Sequence, residues 1–260
     1  MGRILRESEI KAALIDRLVD RGMLQNAVLI NEMVVANWSR RVDLAIANGN
    51  LHAYEIKSDL DSLKRLDGQL DAYLARFDKT TVVCAPRFTT EVLRRTPTFV
   101  EVLEVDFVDE EISFKVVRRG VLRPIQDKGI LAAFLLKSEL AALLKNQAVT
   151  QPRSVLVESV RSFPVTVLRR YVLECLKRRY KETSASFLHL RNENQGTRVS
   201  DLGKLSKSKQ VKASITRTFA DTRKDATPCY AKNINWRRIA EKFGDIPDDV
   251  PMYVLRRRCN

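Results

Sequence analysis

Histidine is almost missing from this 260-residue chain, which has only His52 and His189. That scarcity argues against chemistries built on several imidazoles, such as H-E-x-x-H zinc hydrolases. The four cysteines, Cys84, Cys175, Cys229 and Cys259, include no C-x-x-C pair. Neither a zinc site nor a disulfide framework fits that scatter, and reduced thiols in a cytoplasmic protein are expected. Nine glycines form neither a G-x-x-x-x-G-K-[ST] phosphate loop nor a G-x-G-x-x-G turn, which speaks against nucleotide binding of those kinds. Long apolar runs are absent too. The longest, Gly129 to Leu136, breaks at Lys137, far short of the roughly 20 residues a membrane span needs. The first residues, MGRILRESEIKAALIDRL, place charges where a signal peptide would need an apolar stretch. No membrane association is expected.

What the chain has is uneven charge. Residues 1–120 hold 18 Lys+Arg against 19 Asp+Glu, whereas residues 121–260 hold 28 against 13, so the net +14 comes from the second part. A near-neutral part joined to a strongly basic one points to a polyanionic partner, nucleic acid first, beside the plainer reading of a well-solvated surface.

Periodicity divides the chain in the same place. Ile10, Leu14, Leu18 and Val19 step at helical spacing, with Gly22 as C-cap. NAVLINEMVVAN reads as a strand, followed by a polar turn at Trp38–Arg41. VDLAIANGNLHAYEIK reads as two strands joined at Asn48-Gly49-Asn50, a strong hairpin signal. A helix is expected from Asp61 to Phe77, with Leu63, Leu66, Leu70, Tyr73, Leu74 and Phe77 on one face and Asp59 or Asp61 as cap. A strand at Thr80–Cys84, a helix at Glu91–Arg95 and one or two strands over Val100–Val117 follow. The fold class expected is α/β, a mixed sheet flanked by helices, and then a mainly helical basic part. The expected division is 1–120 and 128–260, with a linker around Arg118–Lys128. In the second part ILAAFLLKSELAALLKN, PRSVLVESVRSF and PVTVLRRYVLECLKRRY read as helices, and Glu182–Asp225 is too polar to assign.

The hairpin carries the candidate chemistry. Phosphodiester hydrolysis needs a divalent cation, an activated water and help for the departing oxygen. Mg²⁺ (or Mn²⁺) takes oxygen ligands at about 2.0–2.1 Å and keeps several waters, so one or two carboxylates suffice. The turn lies almost midway between Asp43 and Glu55 and can bring both alongside each other. Glu55 and Lys57 are two apart on a strand and leave the same face, which puts an ammonium beside the activated water. The Ile56 carbonyl lies between them as a further metal ligand. Ala53 on that face leaves room for substrate, while Tyr54 and Ile56 face the core, as does His52. E-x-K by itself carries little. Glu9-Ile10-Lys11 repeats it in the first helix without a partner acid.

The company of the second copy resembles the PD-(D/E)XK nuclease superfamily: Glu32, Val42-Asp43, then Glu55-Ile56-Lys57, with Val42 in place of the usual proline. Gln69 and Tyr73 resemble the Q-x-x-x-Y motif that follows E-x-K in RecB-like members, and bacterial and prophage proteins with a helical C-terminal extension look similar too. The likeness spans residues 7–86. It implies a restriction-endonuclease-like fold, DNA as substrate, Asp43, Glu55, Lys57, Gln69 and Tyr73 in the active site, and Glu32 as a metal ligand, although Glu32 falls on a strand instead of the first helix. Gln69 would brace Lys57 or the DNA backbone, one turn from Tyr73 on the same helix face. A dimer would suit cutting both strands. Basic runs mixed with aromatics (LRRYVLECLKRRYK, KLSKSKQVKASITRTF, Asn235-Trp236-Arg237-Arg238) would hold phosphates. His189 and Arg65 could contact them, or merely be solvated; the segments around QAVTQ loosely suggest a helix-turn-helix. Two other readings stay open: a nuclease fold that binds nucleic acid without cutting it, and a partner-binding regulator.

Overall fold

The computed structural model describes residues 3–35, 40–145 and 151–205. The Trp38 turn, the QAVTQ turn, Cys229, Cys259 and the basic runs beyond residue 205 lie outside the described residues.

Alternation of Val, Ile and Leu with smaller residues builds six strands, β1 (Val28–Val35), β2 (Arg40–Ala47), β3 (Leu51–Lys57), β4 (Lys79–Cys84), β5 (Glu101–Val108) and β6 (Glu111–Arg118). They lie in one mixed sheet in chain order. β1, β2 and β3 run antiparallel, β3, β4 and β5 parallel, and β5 and β6 antiparallel. The β2–β3 turn is the expected hairpin, with Gly49 at φ +122°, a conformation that side chains with a Cβ rarely adopt.

Helices cover both faces. α1 (Glu7–Asp20) buries Ile10, Leu14, Ile15 and Leu18 against Leu44, Ile46, Tyr54, Ile56 and Val83. α2 (Leu66–Leu74) and α3 (Thr89–Arg95) cover the opposite face, where Leu66, Leu70 and Val92 meet Val82 and Val102. α2 is shorter than the helix expected from Asp61. The Asp61 carboxylate instead accepts from the Ser58 backbone N–H at 2.8 Å and hydroxyl at 2.6 Å, closing a turn that holds residues 58–61 out of the helix. No side chain caps α2, so neither Asp59 nor Asp61 does.

The helices after residue 127 pack on the same sheet. α4 (Lys128–Ala133), α5 (Lys137–Leu143) and α6 (Arg153–Val160) join α7 (Val165–Glu193) in a core shared with Val28, Ala45, Ala53 and Phe77. ILAAFLLKSELAALLKN is two helices, not one. Asp127 caps the first through the Gly129 and Ile130 amides, and Glu139 accepts from the Leu136 N–H at 2.7 Å to open the second. α7 also runs past the expected end at Tyr180. Its later turns bury the small polar Thr183 and Ser184 with Phe187, a mixture that hydropathy alone does not mark. Ser184 Oγ accepts from the Leu29 amide of edge strand β1 at 3.0 Å, so the helix covers an edge that would otherwise expose unpaired amides. Leu168 to Leu176 belong to the core on one face and Phe187 to that on the other. At 1.5 Å per residue α7 is about 43 Å long, enough to bridge them.

Candidate functional site

Strand alternation breaks at one level of the sheet. Asn31 pairs with Leu44 and Met33 with Val42, which leaves Glu32 and Asp43 opposite each other and outside the ladder. Glu32 has φ +56°, a costly conformation for a residue with a long side chain. In consequence Ile30 and Met33 enter the same core cluster, although three-residue spacing would send them to opposite faces of a regular strand. On the other side β2 leaves β3 after Leu44↔Tyr54. There the Asp43 carboxylate replaces the backbone and accepts from the Ile56 N–H at 2.7 Å.

Around that point the structure brings together five of the expected side chains. Lys57 Nζ donates to Glu55 Oε1 at 2.7 Å and to Gln69 Oε1 at 3.0 Å. The Tyr73 hydroxyl lies 2.9 Å from Glu55 Oε2 and 2.7 Å from the Arg41 carbonyl, so its one proton serves either oxygen. The strand period aims Glu55 and Lys57 the same way, and the helical period places Gln69 and Tyr73 above them. Tyr73 is fully buried, part of the apolar core and of the polar network at once. Ala53 is buried in the same cluster as Tyr73 and Phe77. The room expected there for substrate is filled by α2.

The electrostatics are unbalanced. Burial, and then the neighbouring Glu55, push the Asp43 carboxyl up to about 8. Burial also raises Glu55, against the opposing pull of Lys57, Tyr73 and Gln69. Burial and the adjacent Glu55 charge raise the Tyr73 phenol, which is thus a neutral hydrogen-bonding group. A buried carboxylate, Glu55, that disfavours the charge of a half-buried one, Asp43, makes the kind of pair a divalent cation offsets. In a hydrogen-bonded strand residue the N–H and C=O leave the same edge, so the Ile56 carbonyl faces the Asp43 side. Asp43, Glu55 and this carbonyl fit a hard cation that keeps several waters. Among the described residues no three His, Cys, Asp or Glu side chains gather closely enough to hold an ion by themselves. Glu32 pairs with Arg41 at 3.8 Å.

The first helix adds what periodicity missed. Glu7 and Lys11 both act electrostatically on Asp43, and Lys11 Nζ contacts Glu7 Oε1 at 3.1 Å and Asn31 Oδ1 at 3.2 Å. The Glu9-Ile10-Lys11 triplet is therefore not inert: its lysine is buried beside the site. Only chain reversal over some thirty residues creates this contact, so no local pattern announces it. Arg6, Glu7, Lys11, Glu32, Ser58 and Asp61 are among the residues lining an open cleft of about 710 Å³.

The remaining expectations separate cleanly. His52 faces away from Glu55, buried between Thr81 Oγ1 at 2.8 Å and the Tyr54 hydroxyl at 2.9 Å. His189 is exposed, 3.3 Å from Glu193. Arg65 is exposed at the start of α2. Of the cations of α7, Arg169, Arg179 and Arg191 turn inward to Asp78, Glu139 and Asp16. Arg170, Arg178 and Lys181 face outward. No described helix is long and apolar enough to cross a membrane.

A Silicibacter pomeroyi protein of unknown function matches 57% of this chain and 94% of its own, at 22% identity and a TM-score of 0.34. Protein cII of Enterobacteria phage P4 is 42% identical over 267 residues, covering 99% of both chains. The family model described as bacteriophage P4 protein cII matches residues 2–206, and the chain belongs to that family.

Proposed function

We propose that this chain is a Mg²⁺- or Mn²⁺-dependent deoxyribonuclease of PD-(D/E)XK type. The observation that carries the reading is the single hydrogen-bonded unit of Glu55, Lys57, Gln69 and Tyr73, with Asp43 on the adjoining amide. Asp43, Glu55 and the Ile56 carbonyl would hold the cation, with Glu7 and Glu32 nearby. Bound there, it would polarise the phosphate and acidify a water. Lys57 has three N–H donors, two of them directed at Glu55 and Gln69, which leaves one for the attacking water or a phosphate oxygen. Gln69 fixes that ammonium, and Tyr73 fixes the far oxygen of Glu55 between the strand and the helix.

DNA is the proposed substrate, the cytoplasm the proposed setting, and two copies would serve to cut two strands. The outward cations of α7 and the basic residues beyond it supply charge for phosphate contact. Purified chain with Mg²⁺ or Mn²⁺ is to be offered plasmid, linear and branched DNA, beside Asp43→Ala and Lys57→Ala. Cleavage by the native chain and not by the variants supports the reading. Equal cleavage by all three rejects it.

A fold that holds DNA without cutting it draws on one observation, the direct closure of Lys57 onto Glu55 with no three-residue ligand cluster among the described residues. It requires DNA retention in Mg²⁺ or Mn²⁺ with no product.

A further inference from the structure

The two edges of the sheet are treated differently. At β1 the Ser184 hydroxyl of α7 takes the Leu29 N–H. β6 pairs with β5 on one side, and among the described residues no strand pairs with its other side. The turn into β6 shows which of its groups are left over. Asp109 and Glu110 have φ of +50° and +68°, as in the type I′ turn of a two-residue hairpin, where the flanking residues Val108 and Glu111 bond to each other. From Glu111 onward alternate residues therefore turn their N–H and C=O to β5, and Ile112, Phe114 and Val116 turn theirs outward. Phe107, opposite Ile112, accordingly gives its N–H to the Asp106 carboxylate and not to β6.

An unpaired edge of this kind invites another strand, and the side chains along it say which. One end of β6 is acidic, with Asp109, Glu110 and Glu111, and the other is basic, with Lys115, Arg118 and Arg119. Arg118 turns inward to the Val100 carbonyl, whereas Glu111, Lys115 and Arg119 are exposed. Lys115 lies 3.9 Å from Glu104, a loose contact that leaves its side chain 77% exposed. Such a strand repels a parallel copy of itself and attracts an antiparallel one. The irregularity beside Val102 ends the even ladder at Val116, so the register that uses only regular strand has its two-fold axis at Ser113. That register sets Glu111 against Lys115 of the second copy on the polar face. On the other face it sets Ile112 against Phe114, both half-buried on the α1 side of the sheet. Cross-strand pairs of both kinds stabilise a ladder.

We propose that the β6 edge is the surface through which two copies of this chain pair, antiparallel about Ser113, with one sheet continuous through both. Pairing over so short a strand buries too little for a permanent dimer, so the association is weak and depends on concentration. The surface stands without the nuclease reading, which only gives it a use, two sites for two strands.

The test is sedimentation velocity of the full chain over a range of concentrations, where a monomer–dimer equilibrium is expected. Lys115→Glu and Glu111→Lys each set like charges opposite one another twice, and each should weaken the dimer by about 10-fold. The chain carrying both substitutions restores opposite charges and should regain native affinity. Thermal melting checks that the variants, all at exposed positions, remain folded. A monomer at every concentration would overturn the inference. So would a dimer as strong in Lys115→Glu as in the native chain, or a double variant no stronger than the single ones. A dimer with this charge dependence in a chain that neither binds Mn²⁺ nor cuts DNA would keep the interface and remove the nuclease reading alone.

Discussion

Two buried acidic centres sit at the two ends of β3, and they are built on opposite plans. At the Leu51 end, Asp78 accepts from the Leu51 and Ile125 amides at 2.7 and 2.9 Å and from both Arg169 terminal nitrogens at 2.6 and 3.1 Å. Its own N–H and C=O bond to the Leu51 carbonyl and the Arg123 amide. One carboxylate thereby ties together β3, the segment before α4, and α7. At the Lys57 end, Asp43 has one backbone donor and the neighbouring charge of Glu55, and both acids are pushed toward their neutral forms. A saturated acid is a fastening. An acid left with unmet charge keeps capacity for something the chain itself does not supply, and such departures cluster at functional sites.

Removing the fastening should have the largest effect. Asp78→Ala leaves Arg169 and two amides without their acceptor, which costs about 3–5 kcal/mol for a broken buried pair. Denaturant melts should show it, with α7 loosened first by hydrogen exchange. Next comes Lys57→Ala, expected to lower cleavage by about 10²–10³-fold, as loss of a charge-stabilising donor does, with a smaller loss of stability than Asp78→Ala, because burial already favours the neutral form of the Glu55 left behind. A melting change as large as that of Asp78→Ala would show that the two centres do not differ in kind.

The third prediction uses pH. The unfolded chain ionises Asp43 near its ordinary value, 3.8, whereas in the folded chain the group is raised to about 8. Between those values the folded state holds more protons, so this group's contribution to stability is full below about pH 4 and falls as pH rises toward 8. Asp43→Asn keeps an acceptor for the Ile56 amide and removes the penalty. In EDTA at pH 8 it should melt a few degrees above the native chain, with the gap closing by pH 4. An Asp43→Asn chain less stable than native at pH 8 would place Asp43 among the fastenings. The smallest effect is expected of Ser184→Ala, which strips the cap from the Leu29 amide at about 1 kcal/mol, read from a shift in denaturant midpoint and faster exchange along β1.

The sequence discloses the second centre better than the first. Glu55, Lys57, Gln69 and Tyr73 are readable because each pair shares one local element, and a strand period of two and a helix step of four fix which way side chains leave. The hairpin at Gly49 then carries Asp43 across to them. Asp78 is fixed by Arg169, ninety-one residues away, and no local pattern links the two. The same holds for Lys11, whose triplet looks like a chance match until α1 packs over β3. Glu32 lies on a strand as expected, in β1 opposite Asp43, but its left-handed backbone breaks the alternation on which strand reading depends, so the direction of its side chain is not legible. The mixed sheet flanked by helices is legible from the order of periodic segments. The length of α7 is not, because Thr183 and Ser184 are buried for their small size and hydrogen bonding instead of their hydropathy.

The difference between the two centres reduces to whether a cation goes to Asp43 and Glu55. Calorimetric titration of the metal-free chain with Mn²⁺ at pH 8 measures this without any substrate. Saturable binding that is lost in Asp43→Ala and retained in Ser184→Ala is the expected result. Absence of saturable heat, or the same isotherm from Asp43→Ala, would contradict the account.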